Sequence, residues 1–440
     1  MNNQRLELVA DFYEYTMANG YFNKNMEDRI AYFDVFFRKV PDEGGYAIVA
    51  GLEQIINYIR NLSFDEEDIS YLRKQNKFSE EFLNYLENFR FTGDIWAIPE
   101  GTVVFPNEPL ITVKAPIIQA QLLETMLLLT TNHQSLIATK TSRIVKEAQG
   151  RPVMEFGARR AHGINAAVEG ARAAIIGGAV GTSCTLSAKE FNIPASGTMA
   201  HSWIQSFDSE YEAFKAYAEL YPDDCTFLID TYNTIESGLP NAIKVFNEVL
   251  KPKGYRPKAV RLDSGDLAYL SKKVRKILDE AGYEDCKICA TNSLDEYLIK
   301  SLIEQDAKID LFGVGENLIT AKSEPVFGGV YKLVALEKDK KIVPKIKVSE
   351  NTAKVTNPSF KKVYRFYDNE TKKAIADVIT LADEILDERE YMIFDPQNPW
   401  KKKILKDYSI RLLQEKIFEE RKINCLLYTS DAADDRISVD

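Results

Sequence analysis

The hexapeptide Arg261-Leu262-Asp263-Ser264-Gly265-Asp266 puts a guanidinium, two carboxylates and a hydroxyl around one glycine turn. Arg261 suits an anion, because its planar fork matches phosphate and carboxylate oxygens. Asp263 and Ser264 suit ribose hydroxyls or a magnesium ion, and Asp266 is placed to cap a helix beginning at Leu267. A purely structural strand, turn and capped helix reads equally well from these residues alone. In Phe312-Gly313-Val314-Gly315-Glu316-Asn317 the glycines let backbone N–H groups approach a phosphate. Glu316 opposes a phosphate there unless it caps a helix or meets a metal. Behind Phe156-Gly157, Arg159-Arg160 sets two guanidiniums beside an aromatic ring, which suits a planar anion or an ordinary solvated pair.

Only three histidines are present. His133 falls within a helical stretch and reads as a packed or surface residue. His162 follows Arg159-Arg160 in a loop, where it assists an anion site or is simply solvated. His201, in Ser196-Gly197-Thr198-Met199-Ala200-His201-Ser202-Trp203, lies between a glycine turn and an aromatic helix. Cys286 and Cys289 form a lone C-x-x-C without a second pair, and Lys287-Ile288-Cys289-Ala290-Thr291 reads as a buried strand rather than half of a zinc site. No nucleophile elbow, zinc-protease helix, phosphate-binding lysine loop or full dinucleotide fingerprint occurs.

Between about residues 152 and 315 the clusters share one position: each ends a short apolar run. The runs are Val153–Phe156, Gly178–Thr182, Phe227–Ile229, Ala259–Leu262, Ile288–Ala290 and Ile309–Phe312. They end in Gly157-Ala158-Arg159-Arg160, Thr182-Ser183, Asp230-Thr231-Tyr232, the Asp263 turn, Thr291-Asn292-Ser293 and Gly313-Val314-Gly315-Glu316. Amphipathic stretches such as Leu267–Ala281 lie between, so the pattern predicts parallel strands with crossover helices, closed as a barrel or open as a doubly wound sheet. In a (β/α) barrel the strand C-termini form the reacting face. Earlier, a strand is expected at Ile30–Phe37, a helix over Ala47–Leu62, a small antiparallel sheet over Ile95–Lys114 and a long helix over Ile118–Ala148. Past Val330, strands at Val330–Leu336, Lys361–Tyr367 and Ala374–Leu381 predict a second α+β layer.

The 440 residues are about three domain lengths, or one large barrel with attachments. With 56 basic and 66 acidic side chains the net charge is −10, which argues against general affinity for nucleic acid or anionic lipid. A few placed arginines still make a positive pocket for an anionic small molecule. The most apolar stretches, Ala115–Thr131 and Ala166–Cys184, are interrupted by Gln119, Glu124, Glu169 and Arg172, so no membrane span is expected. The start of the chain lacks the basic-then-apolar plan of a signal peptide, and five cysteines suit a reducing compartment. A cytoplasmic location is expected.

In their order the clusters resemble the nicotinate phosphoribosyltransferases, type II phosphoribosyltransferases. The resemblance begins at Asp11-Phe12-Tyr13-Glu14-Tyr15-Thr16-Met17 and continues through Phe37-Arg38, Gly44-Gly45-Tyr46 and Glu155-Phe156-Gly157-Ala158-Arg159-Arg160. It then runs through Gly197-Thr198-Met199-Ala200-His201-Ser202, Asp230-Thr231-Tyr232 and the Arg261–Asp266 turn, to Gly313-Val314-Gly315 and Val330-Tyr331-Lys332-Leu333. It implies an α/β fold: an irregular (β/α) barrel with an additional α+β domain built from N-terminal and C-terminal segments. The segments expected are 1–130 and 341–424 for the α+β part and 131–340 for the barrel. It also implies a head-to-tail homodimer with shared active sites. The implied reaction joins nicotinate to phosphoribosyl pyrophosphate, with coupled ATP hydrolysis, as the entry to NAD salvage. Mg²⁺ accompanies the phosphoribosyl pyrophosphate, and ATP is a co-substrate.

By the same resemblance, Phe156 and a partner subunit's Tyr13 sandwich the pyridine ring. Arg159, Thr198 and Arg261 bind the carboxylate and neighbouring phosphates, Asp263 and Ser264 face the ribose, Gly265 is a further substrate-binding residue, and the Gly313–Gly315 turn cradles the 5′-phosphate. His201 is the residue phosphorylated by ATP, and His201, Arg261 and Asp263 form the catalytic set. The related nicotinamide enzyme places an acidic residue on the loop matching Gly181-Thr182-Ser183. A hydroxyl such as that of Ser183 donates to nicotinate, whereas a carboxylate repels it, so preference for the acid is expected. A sister activity on nicotinamide or another pyridine base is the alternative, as is an inactive nucleotide-binding paralogue that regulates a partner. Two features depart from the family: Glu316 stands where many relatives have threonine, and residues 425–440 read as an adapter-derived, non-native tail.

Overall fold

The computed structural model describes residues 5–348, 350, 355–387, 389–396, 398–419 and 422–423. The expected adapter-derived tail at 425–440 lies outside these residues. The chain divides into two compact units, Met1–Leu136 with Val326–Asp440, and Ile137–Pro325.

The Ile137–Pro325 unit is built on six parallel strands: β1 (Val153–Glu155), β2 (Gly181–Thr182), β3 (Thr226–Leu228), β4 (Ala259–Leu262), β5 (Lys287–Ala290) and β6 (Leu311–Val314). Their order across the sheet is β2-β1-β6-β5-β4-β3, all parallel. Every neighbour is therefore the next strand in sequence except β6, which returns to pair with β1. That closure is the signature of a (β/α) barrel. Among the described residues the ring stays open between β2 and β3, whose connection carries the helices Thr185–Phe191, His201–Gln205 and Glu210–Leu220. The expected irregular barrel is thus a curled half-barrel of six strands.

The strands are short and almost wholly buried, with Val260, Leu262, Ile288, Ala290, Phe312 and Val314 at 0% exposure. That fits continuous apolar runs covered on both faces by helices. The helix Leu267–Glu280 begins as expected, with the Tyr269 N–H donating to the Asp266 side chain at 3.0 Å. Cys286 and Cys289 are buried free thiols pushed up to about 12 by burial, so they serve as small apolar groups.

Two strands differ from their sequence reading in a way that matters for the site. The second is only Gly181–Thr182, because Gly178 turns the chain at φ +107° just before it. The last runs Leu311–Val314 rather than ending at Phe312, since Gly313 and Val314 pair with Met154 and Glu155. Gly313 is therefore a strand residue, and Gly315 the residue that opens the helix Glu316–Ile319.

The other unit joins both ends of the chain in one antiparallel sheet. Ile30–Phe36 lies between Val330–Lys338 and Ile111–Pro116, and Asp94–Ala97 pairs with Glu415–Glu419. Phe33 stacks on Tyr331 with centroids 4.7 Å apart, and Lys361 bonds Asp34 at 2.8 Å, so distant segments are sewn across the sheet. This is the expected α+β domain from N-terminal and C-terminal segments. Within Ala47–Leu62 the helix is only Leu52–Asn61, because Gly51 at φ +107° breaks the chain and Ala47–Ile48 pairs with Val103–Val104. The long helix of Ile118–Ala148 is two pieces, Ile117–Gln121 and Glu124–Glu147.

Candidate active site

All six strand ends point the same way, so the polar clusters meet along one edge of the parallel sheet. Arg261, on β4, anchors them. Its Nε donates to Thr291 Oγ1 at 3.0 Å and its Nη2 to Asp263 Oδ1 at 3.1 Å; Nη1 reaches Thr198 Oγ1 at 3.3 Å and the Met199 carbonyl at 3.4 Å. One guanidinium thus binds residues following β4 and β5 and the loop before His201. Thr291 in turn donates to Asp263. His201 completes the group: its Nε2 is 3.7 Å from Asp263 Oδ2, and its Nδ1 is 3.1 Å from Thr231 Oγ1.

A second carboxylate holds the turn itself. Asp230 Oδ2, just past β3, accepts from the Asp263 N–H at 2.9 Å and from Ser264 Oγ at 2.5 Å. Gly265 takes φ +80°, a left-handed conformation in which a side chain is strained. The Asp263–Ser264 pair is therefore pinned from behind while Ser264 itself stays exposed.

Beside this network lies an aromatic platform. The Phe156 N–H donates to the Val314 carbonyl at 2.7 Å, which registers β1 against β6. A Cβ on Gly313 would lie 2.5 Å from Phe156 Cδ2 and 2.7 Å from the Thr291 methyl. The ring occupies the space a side chain would need, so Gly313 is required as its bed. Gly157 is required too, since a Cβ there would meet Ile319 at 2.6 Å and the Gly315 carbonyl at 2.7 Å.

Arg159 and Arg160 follow on a short 3₁₀ turn, both exposed. Glu316 lies 3.8 Å from Arg160 and 2.8 Å from Lys322, which hold its carboxyl below the ordinary range. The charge that stood against phosphate at this loop is thus offset by two cations. In the β2 loop, Thr182 is fully buried and Ser183 exposed. Tyr13 belongs to the other unit, on the helix Phe12–Phe22, with its ring 44% exposed. Burial and then the neighbouring Glu124 push its phenol up.

The parallel-sheet unit therefore brings Phe156, Arg159, Ser183, Thr198, His201, Arg261, Asp263, Ser264, Gly265, Gly313 and Gly315 to one edge. Sequence reading passed over Asp230, Thr231 and Thr291 as individual site residues. Their signal was position alone: each stands within three residues of a strand end.

Family models match along the chain: the nicotinate phosphoribosyltransferase N-terminal domain over residues 8–132, the family's central region over 152–379 and its C-terminal domain over 360–437. The chain is 47% identical to a nicotinate phosphoribosyltransferase of Bacillus subtilis, over 94% of this chain and 84% of that protein. It is 36% identical to one from Caenorhabditis elegans, over 86% of this chain and 76% of that one. A crystal structure of human nicotinic acid phosphoribosyltransferase superposes with a TM-score of 0.84 at 26% identity, covering 95% of this chain and 90% of that one.

Proposed function

The chain belongs to the nicotinate phosphoribosyltransferase family, and we propose that it makes nicotinate mononucleotide and pyrophosphate from nicotinate and phosphoribosyl pyrophosphate in NAD salvage. The observation that carries this reading is the single network joining Arg261, Asp263, Thr198 and His201 beside the Phe156 platform. In the reaction, the C1–oxygen bond of the sugar breaks and its electron pair leaves with pyrophosphate. The lone pair of the pyridine nitrogen forms the new bond to C1. That nitrogen carries no proton, so no general base is needed.

What the protein must supply is alignment and charge. Phe156 holds the ring flat, and stacking of this kind adds roughly 0.5–1.5 kcal/mol beyond area burial. A partner subunit's Tyr13 closes the sandwich from the other face, in a homodimer with shared sites. Arg159 and Ser183 bind the nicotinate carboxylate, while Arg261 and Thr198 meet phosphate oxygens as negative charge departs. Asp263, Ser264 and Gly265 face the ribose, and Gly313 and Gly315 bring backbone to the 5′-phosphate.

Mg²⁺ enters as the phosphoribosyl pyrophosphate complex, neutralising part of the leaving group. Among the described residues no group of three His, Cys, Asp or Glu side chains is arranged to hold a metal ion. ATP is a co-substrate: His201 takes its γ-phosphoryl group, releasing ADP, and water later takes the phosphoryl from the imidazole. The phosphorylated form favours the productive complex. A half-exposed imidazole beside Thr231 and Asp263 suits that role. Among the described residues no helix is long and apolar enough to cross a membrane.

The test is turnover with and without ATP in the wild type and in His201→Asn. The variant is expected to lose ATP stimulation while keeping some basal turnover; undiminished ATP stimulation contradicts the assignment of His201.

A further inference from the structure

Glu155 ends β1 directly before the Phe156 ring, and it is 0% exposed. Its surroundings are unusual for a carboxylate. One oxygen accepts from the Gly157 N–H and the other from Thr182 Oγ1 at 2.6 Å. Among the described residues no lysine, arginine or histidine is a hydrogen-bond or ion-pair partner of Glu155. Burial pushes its carboxyl up, and the two donors pull it back. A buried carboxylate lacking a cation is destabilising, and an apolar or amide side chain fills such a place at lower cost.

The two donors explain why a carboxylate stands there. Gly157 belongs to the turn that carries Phe156 and Arg159. Thr182 belongs to the loop that carries Ser183. Glu155 also sits in register between them and β6, with its Cα opposite both Thr182 and Val314, and its own carbonyl accepts from the Ser183 N–H at 2.9 Å. Only an ionised carboxylate accepts from both sides at once, and hydrogen bonds to a charge are roughly twice as strong as neutral ones.

The buried Thr182 hydroxyl has its one proton committed. Its hydroxyl oxygen accepts from the Cys184 N–H at 2.9 Å and its proton goes to Glu155. The exposed hydroxyl of this loop is thus that of Ser183, and its position is inherited from Thr182.

We propose that Glu155 is a positioning residue for the pyridine base, acting through Gly157 and Thr182 to set the spacing between the Phe156 ring and the Ser183 hydroxyl. This rests on the reading of the site as a nicotinate phosphoribosyltransferase. The ribose is held from β4 and the 5′-phosphate from β6, with Thr198 joining the phosphate contacts from the β2–β3 connection, so loosening the β1–β2 pair acts mainly on the base. Glu155→Gln keeps the acceptor for Gly157 but turns a donor toward Thr182, whose proton then has no partner.

The experiment is steady-state kinetics on the full chain, with nicotinate and phosphoribosyl pyrophosphate varied separately, for Glu155→Gln, Thr182→Val and Thr182→Ser. Misplacing one binding group by a fraction of an ångström predicts a nicotinate KM raised about tenfold in Glu155→Gln and Thr182→Val. The phosphoribosyl pyrophosphate KM stays within about twofold. Thr182→Ser, which keeps the hydroxyl, recovers most of the loss seen in Thr182→Val and so tests the contact even where Glu155→Gln does not fold. A nicotinate KM that does not move, two KM values rising together, or Thr182→Ser as impaired as Thr182→Val overturns the proposal while the wild type still turns over. A wild-type chain without turnover of nicotinate overturns the parent reading, and this proposal with it.

Discussion

In the unit formed by both chain ends, ion pairs are sealed inside: Asp34 and Lys361 keep 2% and 5% of their side chains exposed, and Arg365 and Asp377 keep 9% and 6%. In the parallel-sheet unit, Asp263 keeps 30% and His201 39%. Each pair sets a carboxylate against a basic side chain, and the physical situations are opposite. A sealed pair has exchanged its water for fixed protein partners, so it fastens strands to one another and does nothing else. A half-exposed carboxylate and imidazole, steadied by Arg261 and Thr231, still have faces to offer a ligand. The parallel-sheet unit has its own sealed pair, Lys140 with Glu296 at 2.7 Å, whose side chains are 2% and 7% exposed. Exposure, rather than charge, therefore separates fastening from chemistry in this protein.

Breaking one member of each class should separate the two effects. Arg261→Ala removes the group that joins Asp263, Thr198 and Thr291, and is expected to cut kcat/KM by ~10³-fold, as loss of an electrostatic stabiliser does. Its stability in urea should shift by only about 1 kcal/mol. Lys361→Met does the reverse. It leaves Asp34 buried without its cation, where burial already pushes the carboxyl up, and should cost about 3–5 kcal/mol in urea unfolding with the nicotinate KM in place. If Lys361→Met instead alters the KM while stability holds, the division between the two classes fails.

A finer distinction concerns the β2 loop. Ser183→Asp sets a carboxylate where nicotinate's own is expected, and the repulsion should lower kcat/KM for nicotinate by about tenfold to hundredfold. Equal efficiency of the wild type on nicotinamide and nicotinate would count against a donor at Ser183. The smallest effect lies in the other unit. Glu14 accepts from the Asp11 and Thr125 N–H groups and from the Thr125 hydroxyl, and burial pushes it up to about 7 from its ordinary 4.5. The folded protein then holds a proton that the unfolded chain has released. Stability should therefore fall as pH rises from about 4.5 to about 7. Glu14→Gln should flatten that decline in urea titrations at several pH values; an unchanged slope would show that Glu14 does not set it.

Much of this was legible in the sequence because parallel strands buried on both faces leave continuous apolar runs, and the polar residue that follows each run is then conspicuous. Asp263 and Arg159 stood out in that way, next to Arg261 and Phe156 at the ends of the runs themselves. Helix Leu267–Glu280 and its Asp266 cap were legible for a similar reason, a 3.6-residue stripe with a carboxylate at its head. Two-residue strands were not: Ala47–Ile48 carries no period, and its pairing with Val103–Val104 is decided in three dimensions. Nor was the opening between β2 and β3, since a missing strand pairing has no local sequence signal. Glu155 was hidden because it looks like the polar end of an apolar run, and only its burial between Gly157 and Thr182 marks it as different.

The most direct test is product analysis on the purified chain given nicotinate, phosphoribosyl pyrophosphate and Mg²⁺. The site described here predicts nicotinate mononucleotide and pyrophosphate in equal amounts, with Arg261→Ala reduced by about three orders of magnitude under the same conditions. Pyrophosphate released without the nucleotide, or equal yields from wild type and variant, would contradict it.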